Sequence, residues 1–99
     1  MKVKLQTGFW MTADYLVSVD QKFFTLTPMD KEKEKTFSIP LSELQLFSLS
    51  KMPNGKNHFR LEAENQVFEG SLKEDKDLPV FIEALRKYGY HYELNLFGR

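Results

Sequence analysis

Asp77-Leu78-Pro79-Val80-Phe81-Ile82-Glu83-Ala84-Leu85-Arg86-Lys87-Tyr88-Gly89 carries the one sustained helical period in the chain, and its reading decides the rest. Leu78, Phe81, Ile82 and Leu85 fall at i, i+3, i+4 and i+7 with Tyr88 on the same side, while Glu83, Arg86 and Lys87 lie opposite. Asp77 is placed to accept hydrogen bonds from the first free amides, Pro79 suits a first turn, and Gly89 suits a left-handed C-terminal cap. The spacing therefore predicts a helix over 77–88 with one apolar stripe that needs a partner surface. Everything before it reads as short strands. A mainly-β architecture follows, a barrel or sandwich with one amphipathic helix packed on the sheet or plugging its end.

Ninety-nine residues suit a single domain with one core, and the 14% aromatic content, nine residues of it Phe, supplies large side chains to fill that core. Fourteen basic residues balance fourteen acidic ones, so the summed field offers no general attraction to nucleic acid or anionic lipid. The absence of cysteine removes disulfides, thiol nucleophiles and thiolate metal sites, and makes the cytoplasm the default compartment. No run reaches the roughly 18 apolar residues of a membrane span, and Lys2 and Lys4 are not followed by the apolar stretch of a secretory signal. The chain reads as soluble and complete, although a larger membrane-attached parent protein would leave no trace in these residues.

Taken in order, residues 2–12 read as one strand that bends at Gly8, with Phe9, Trp10 and Met11 at an aromatic end expected in the core. Tyr15, Val17 and Val19 alternate with Leu16 and Ser18, turn at Asp20-Gln21, and pair as a hairpin with residues 22–27, which Pro28 stops. Lys31-Glu32-Lys33-Glu34-Lys35 has no apolar face and reads as a solvated tip. Phe37 and Ile39 form a short strand before Pro40. In the next strand the apolar positions slip between Leu46 and Phe47, which implies a bulge there or burial on both faces. Pro53-Asn54-Gly55 is a tight-turn sequence, and Phe59, Leu61 and Ala63, then Phe68 and Leu72, mark the strands that follow. Residues 73–76 make a charged approach to the helix. After Gly89, Tyr90, Tyr92, Leu94 and Leu96 alternate with polar residues, so 90–97 is expected to be an extra strand. It is expected to pair with an edge of its own sheet, the alternatives being exchange with a second copy in a homodimer and a free tail.

No residue set here has the spacing of catalysis or metal ligation. His58 and His91 sit alone on polar strand faces, and Glu62, Glu64 and Glu69 read as wet-face glutamates rather than a general acid–base pair. No serine lies in a G-x-S-x-G setting, and Asn54-Gly55-Lys56 is a turn rather than a phosphate cradle. No cofactor is expected. Phe9 and Trp10 stay open as recognition anchors beside the core reading, with Tyr90, Tyr92, Lys51 and Lys56 as the other partner-binding candidates.

The strand hairpins, the segment Phe37-Ser38-Ile39-Pro40-Leu41-Ser42-Glu43-Leu44 and the terminal Phe81-Ile82-Glu83-Ala84-Leu85-Arg86 together resemble the bacterial pleckstrin-homology-like domains. In those, a strand leads into an Ile-Pro-Leu turn, two hairpins follow, and a helix with an F-I-x-x-L pattern closes the sheet. The resemblance covers residues 14–89. It implies two roughly orthogonal antiparallel sheets of about seven strands, with the helix capping one end of the barrel. Lipid, peptide and partner binding all occur on this superfold. Phosphoinositide-binding members carry basic residues on the first hairpin, whereas Thr7-Gly8-Phe9-Trp10-Met11-Thr12-Ala13-Asp14 has none. The resulting expectation is a non-enzymatic module that binds protein or self-associates. A peripheral module at the inner membrane surface, using Lys51, Lys56 and the Lys31 to Lys35 tip, is the alternative.

Overall fold

The computed structural model describes residues 1–72 and 76–95; the 73–76 approach, apart from Lys76, and the Leu96-Phe97 end of the expected extra strand lie outside them. Eight strands, β1 (Lys2–Gln6), β2 (Thr12–Val19), β3 (Phe23–Pro28), β4 (Phe37–Pro40), β5 (Leu44–Lys51), β6 (Asn57–Ala63), β7 (Val67–Leu72) and β8 (Tyr92–Asn95), join one helix, α1 (Leu78–Tyr88). The protein is mainly β, as its alternating patterns require. The strands form a single sheet in the order β4-β3-β2-β1-β7-β6-β5-β8, antiparallel except for the last pair.

Among the described residues this sheet is not closed, which corrects the expected barrel of two sheets. β4 is four residues long and ends at Pro40, which has no N–H to give a further strand, and a 3-10 turn (Leu41–Glu43) carries the chain away from that edge. The sheet nevertheless folds over on itself. Phe24 of β3 and Phe47 of β5 meet with ring centroids 5.7 Å apart, and Phe37 of β4 meets Phe68 of β7 at 4.8 Å, across the gap between the halves.

The two halves join where β1 crosses β7 through only two residue pairs, Lys4 with Ser71 and Leu5 with Gly70. Gly70 makes that crossing possible. A Cβ there would stand 2.1 Å from the Lys4 carbonyl oxygen and 2.8 Å from the Phe59 ring.

The helix packs as its period requires. Phe81 and Leu85 are buried, and the Phe81 ring meets Phe24 at 5.8 Å and Phe47 at 5.5 Å, so the stripe closes over the aromatic core. Asp77 already has helical dihedrals and makes no side-chain cap; its carbonyl accepts the Phe81 amide instead. At the other end Gly89 is left-handed (φ 81°), with its amide on Arg86 and the Tyr90 amide on Leu85, the paired bonds of a Schellman cap. Such a cap brings the residue after glycine back onto the last turn, and Tyr90 is accordingly buried above Leu85 rather than extended in a strand.

From there the chain runs into β8, which lies parallel to β5 with Tyr92 beside Phe47 and Leu94 beside Leu49. The extra strand therefore exists, starts two residues later than expected, and pairs within its own chain. The register irregularity of β5 lies between Leu44 and Leu46, one step before the expected slip. No helix among the described residues is long and apolar enough to cross a membrane.

Candidate functional site

β1 and β2 pair as far as Gln6 with Thr12, and residues 7–11 form the turn between them. The Thr7 amide donates to the Met11 carbonyl at 2.9 Å and the Met11 amide to the Gly8 carbonyl at 3.4 Å, closing the loop with its side chains outside the ladder. Phe9, Trp10 and Met11 are consequently 80%, 88% and 64% exposed. The expected bent strand with an aromatic end in the core is thus two strands and a turn, because Val3 and Leu5 already fill the inner face of β1 and the chain must reverse before Tyr15 can pair. The two rings meet edge to face, centroids 4.5 Å apart, a favourable aromatic geometry that still leaves most of their surface in water.

Between this tip and the outer face of the sheet lies an open cleft of about 360 Å³, with Phe9, Trp10 and Met11 as one wall and Lys4, His58 and Ser71 as the other. Strand alternation sets the second wall. Lys4 and His58 both stand opposite Ser71 in adjoining strand pairs, so all three point away from the core.

Charges on this face are matched within it. Lys4 Nζ lies 3.2 Å and Lys2 Nζ 3.9 Å from the Asp14 carboxylate. Arg60 reaches Glu62 and Glu69 at 3.2 Å each, and His58 Nε2 lies 3.6 Å from the same Glu69. The hydrogen bond to Glu62, then that to Glu69, holds the Arg60 guanidinium above its ordinary pKa. Among the described residues, Lys2, Lys4 and Arg60 on this face are thus matched by Asp14, Glu62 and Glu69.

The other expected partner-binding residues do not converge on the tip. Lys51 and Lys56 are exposed on either side of the Pro53-Asn54-Gly55 turn, where Gly55 takes φ 85° and Asn54 accepts the Lys56 amide. By strand register this turn leaves the sheet beyond Leu72, the opposite end of β7 from the β1–β2 turn. Tyr90 is core, which removes it as a docking residue: its ring lies edge-on to Phe24 and its hydroxyl donates to the Asp20 carbonyl. Burial, then the charge of Asp20, raises the pKa of that hydroxyl. Tyr92 is half-buried on β8.

A second ring group, Tyr15, Phe37 and Phe68, borders another open cleft of about 470 Å³. The Tyr15 hydroxyl donates to the Lys35 carbonyl at 2.9 Å, and Lys35 Nζ sits 5.2 Å from the centre of the Phe37 ring.

Met11, expected in the core with Phe9 and Trp10 and not among the partner-binding candidates, belongs to the site. Thr7-Gly8, standing between the alternations of β1 and β2, is the signal that marks the turn. Among the described residues, no group of three or more His, Asp or Glu side chains is placed to hold a metal ion. Neither a protein-family model nor a curated protein sequence matches this chain.

Proposed function

We propose that this chain is a non-catalytic interaction module that binds a protein partner, with Phe9 and Trp10 as its anchor. The observation that carries the reading is their exposure, 80% and 88%, on a turn held by the ladder beneath it. Burying a large apolar side chain is worth roughly 1.5–3 kcal/mol, and this fold leaves that gain unused at two adjacent rings. Aromatic anchors of this kind, projecting from a rigid element, dominate protein interfaces.

The pleckstrin-homology-like assignment belongs to the same proposal. It is supported by the passage from β4 through Ile39-Pro40-Leu41 into two hairpins, followed by a helix whose Phe81 and Leu85 close over the core. A protein partner is favoured over a membrane because residues 7–14 hold no cation and the nearest β1 lysines are engaged by Asp14. Catalysis is disfavoured because Glu62 and Glu69 are both held by Arg60. The proposal includes a cytoplasmic setting, the reducing compartment that suits a chain without cysteine.

Immobilised protein and its Trp10→Ala variant, exposed to lysate of the source cell, test the reading alongside co-sedimentation with phosphatidylserine vesicles at low and high salt. The expected result is a protein captured by the unmodified chain and lost with the variant, and no salt-sensitive vesicle binding. Vesicle binding that salt abolishes, with no Trp10-dependent capture, replaces the proposal by the membrane alternative.

A further inference from the structure

We infer that the partner of this tip is a second copy of the same chain, joined across a two-fold axis so that each Trp10 enters the cleft beside the other's tip; this rests on the protein-binding reading above. The knob and the cleft are neighbours on one surface. Phe9, Trp10 and Met11 project from the β1–β2 turn and also form one wall of the cleft, whose other wall is Lys4, His58 and Ser71. A two-fold contact requires such a self-complementary patch, because the surface that gives the anchor must also receive one. The cleft, about 360 Å³, has room for an indole ring with part of a neighbouring side chain.

Charge is compatible with this symmetry. A patch with a surplus of one sign repels its own copy, whereas here Lys2, Lys4 and Arg60 are matched by Asp14, Glu62 and Glu69 on the same face. The area is compatible as well. Two nearly free rings offer roughly 300–400 Å² per copy, and Met11 with the covered cleft walls brings this to about the 500 Å² per partner that a specific interface needs at minimum.

The competing symmetric contact, β8 against β8, is poorer. In the antiparallel register that uses the outward groups of both Tyr92 and Leu94, Glu93 stands directly opposite its own copy. At the other edge, Pro40 removes a donor from β4.

Light scattering and sedimentation equilibrium of the full chain, over concentrations up to the millimolar range, test the inference with two variants. Trp10→Ala removes the knob and, with it, part of one cleft wall, leaving Phe9 and Met11 in place, and Ser71→Phe fills the cleft; thermal melts verify that each stays folded. The expected result is a concentration-dependent dimer whose dissociation constant rises about a thousandfold in Trp10→Ala, roughly thirtyfold for each of the two tryptophan anchors that the substitution removes from a symmetric pair. Ser71→Phe should weaken it comparably, and an equimolar mixture of the two should recover part of the association, since one knob then faces one open cleft. A monomer at every concentration overturns the inference, as does a Trp10→Ala dimer as tight as the unmodified one. A mixture no heavier than its components overturns the knob-into-cleft arrangement. If the chain is monomeric yet still captures another protein through Trp10, only the second-copy inference falls; if it does neither, the protein-binding reading falls with it.

Discussion

The Tyr90 hydroxyl donates to the Asp20 carbonyl at 2.9 Å, tying the end of the helix to the β2–β3 turn across 70 positions of sequence. Asp20 is itself organised, its carboxylate accepting the Lys22 amide at 2.7 Å and the Phe23 amide at 2.8 Å. Tyr90→Phe keeps the ring against Phe24 and deletes only this bond. It should cost about 1 kcal/mol, the net worth of one such hydrogen bond, and lower Tm by about 4–8 °C in a domain of this size. A melt unchanged by the substitution would show that the bond contributes nothing.

The same pair sets two limits on the pH range of stability. The amides of Lys22 and then Phe23 hold the Asp20 carboxyl below its usual pKa, so its contribution is present above the ordinary carboxylate range, from about pH 4. It is lost as pH falls through the lowered folded value. Tyr90 titrates the other way: burial raises its pKa in the fold, so its contribution is complete below about pH 10 and declines as pH rises through the raised value. Urea melts across pH should therefore show an acid limb that flattens in Asp20→Asn and an alkaline limb that flattens in Tyr90→Phe.

Gly70→Ala should be among the most damaging single-methyl additions in this protein. The atom in the way is a backbone carbonyl of the neighbouring strand, which cannot rotate aside, so the substitution must part β1 from β7 at their two-pair junction. A loss at or above the upper end of the roughly 1–3 kcal/mol range for overpacking is expected, and a melt within experimental error of the unmodified protein would contradict this packing. Leu85→Ala acts by the opposite route, leaving a hole under the helix at a fully buried position, and should cost roughly 2–5 kcal/mol.

Amide exchange in β8 should alternate along the strand. The Phe47 amide bonds the His91 carbonyl at 3.0 Å, and a parallel ladder that begins so continues through the amides of Glu93 and Asn95. Those two should be protected, while the amides of Tyr92 and Leu94 face away from β5 and exchange fast. Uniform exchange at the intrinsic rate would remove the strand.

Helix α1 and the alternating strands were legible because each has a period and an apolar face that only one arrangement can bury. Phe81 and Leu85 followed from i, i+3, i+4, i+7 spacing, and Tyr15 with Val17 from alternation. Tyr90 misled because one aromatic continues an alternating pattern as well as it completes a helix cap; the cap won since Gly89 turns the chain back over Leu85. Phe9 and Trp10 misled for a different reason. Hydrophobicity argues for burial, but the pairing of β1 with β2 leaves residues 7–11 beyond the sheet, where no core is available. Convergence of Lys4, His58 and Ser71 beside that tip depends on the β1–β7–β6 crossing, which no local pattern encodes.

β8 also imposes an order of events on synthesis. A strand that pairs with β5 but follows β6, β7 and the helix in the chain cannot cover β5 until all of them have left the ribosome. For that interval one flank of β5 is bare, and a nascent chain beside another on the same message meets an unfilled strand edge. The newborn protein is thus open to mispairing along β5 until β8 docks, before any partner enters the account.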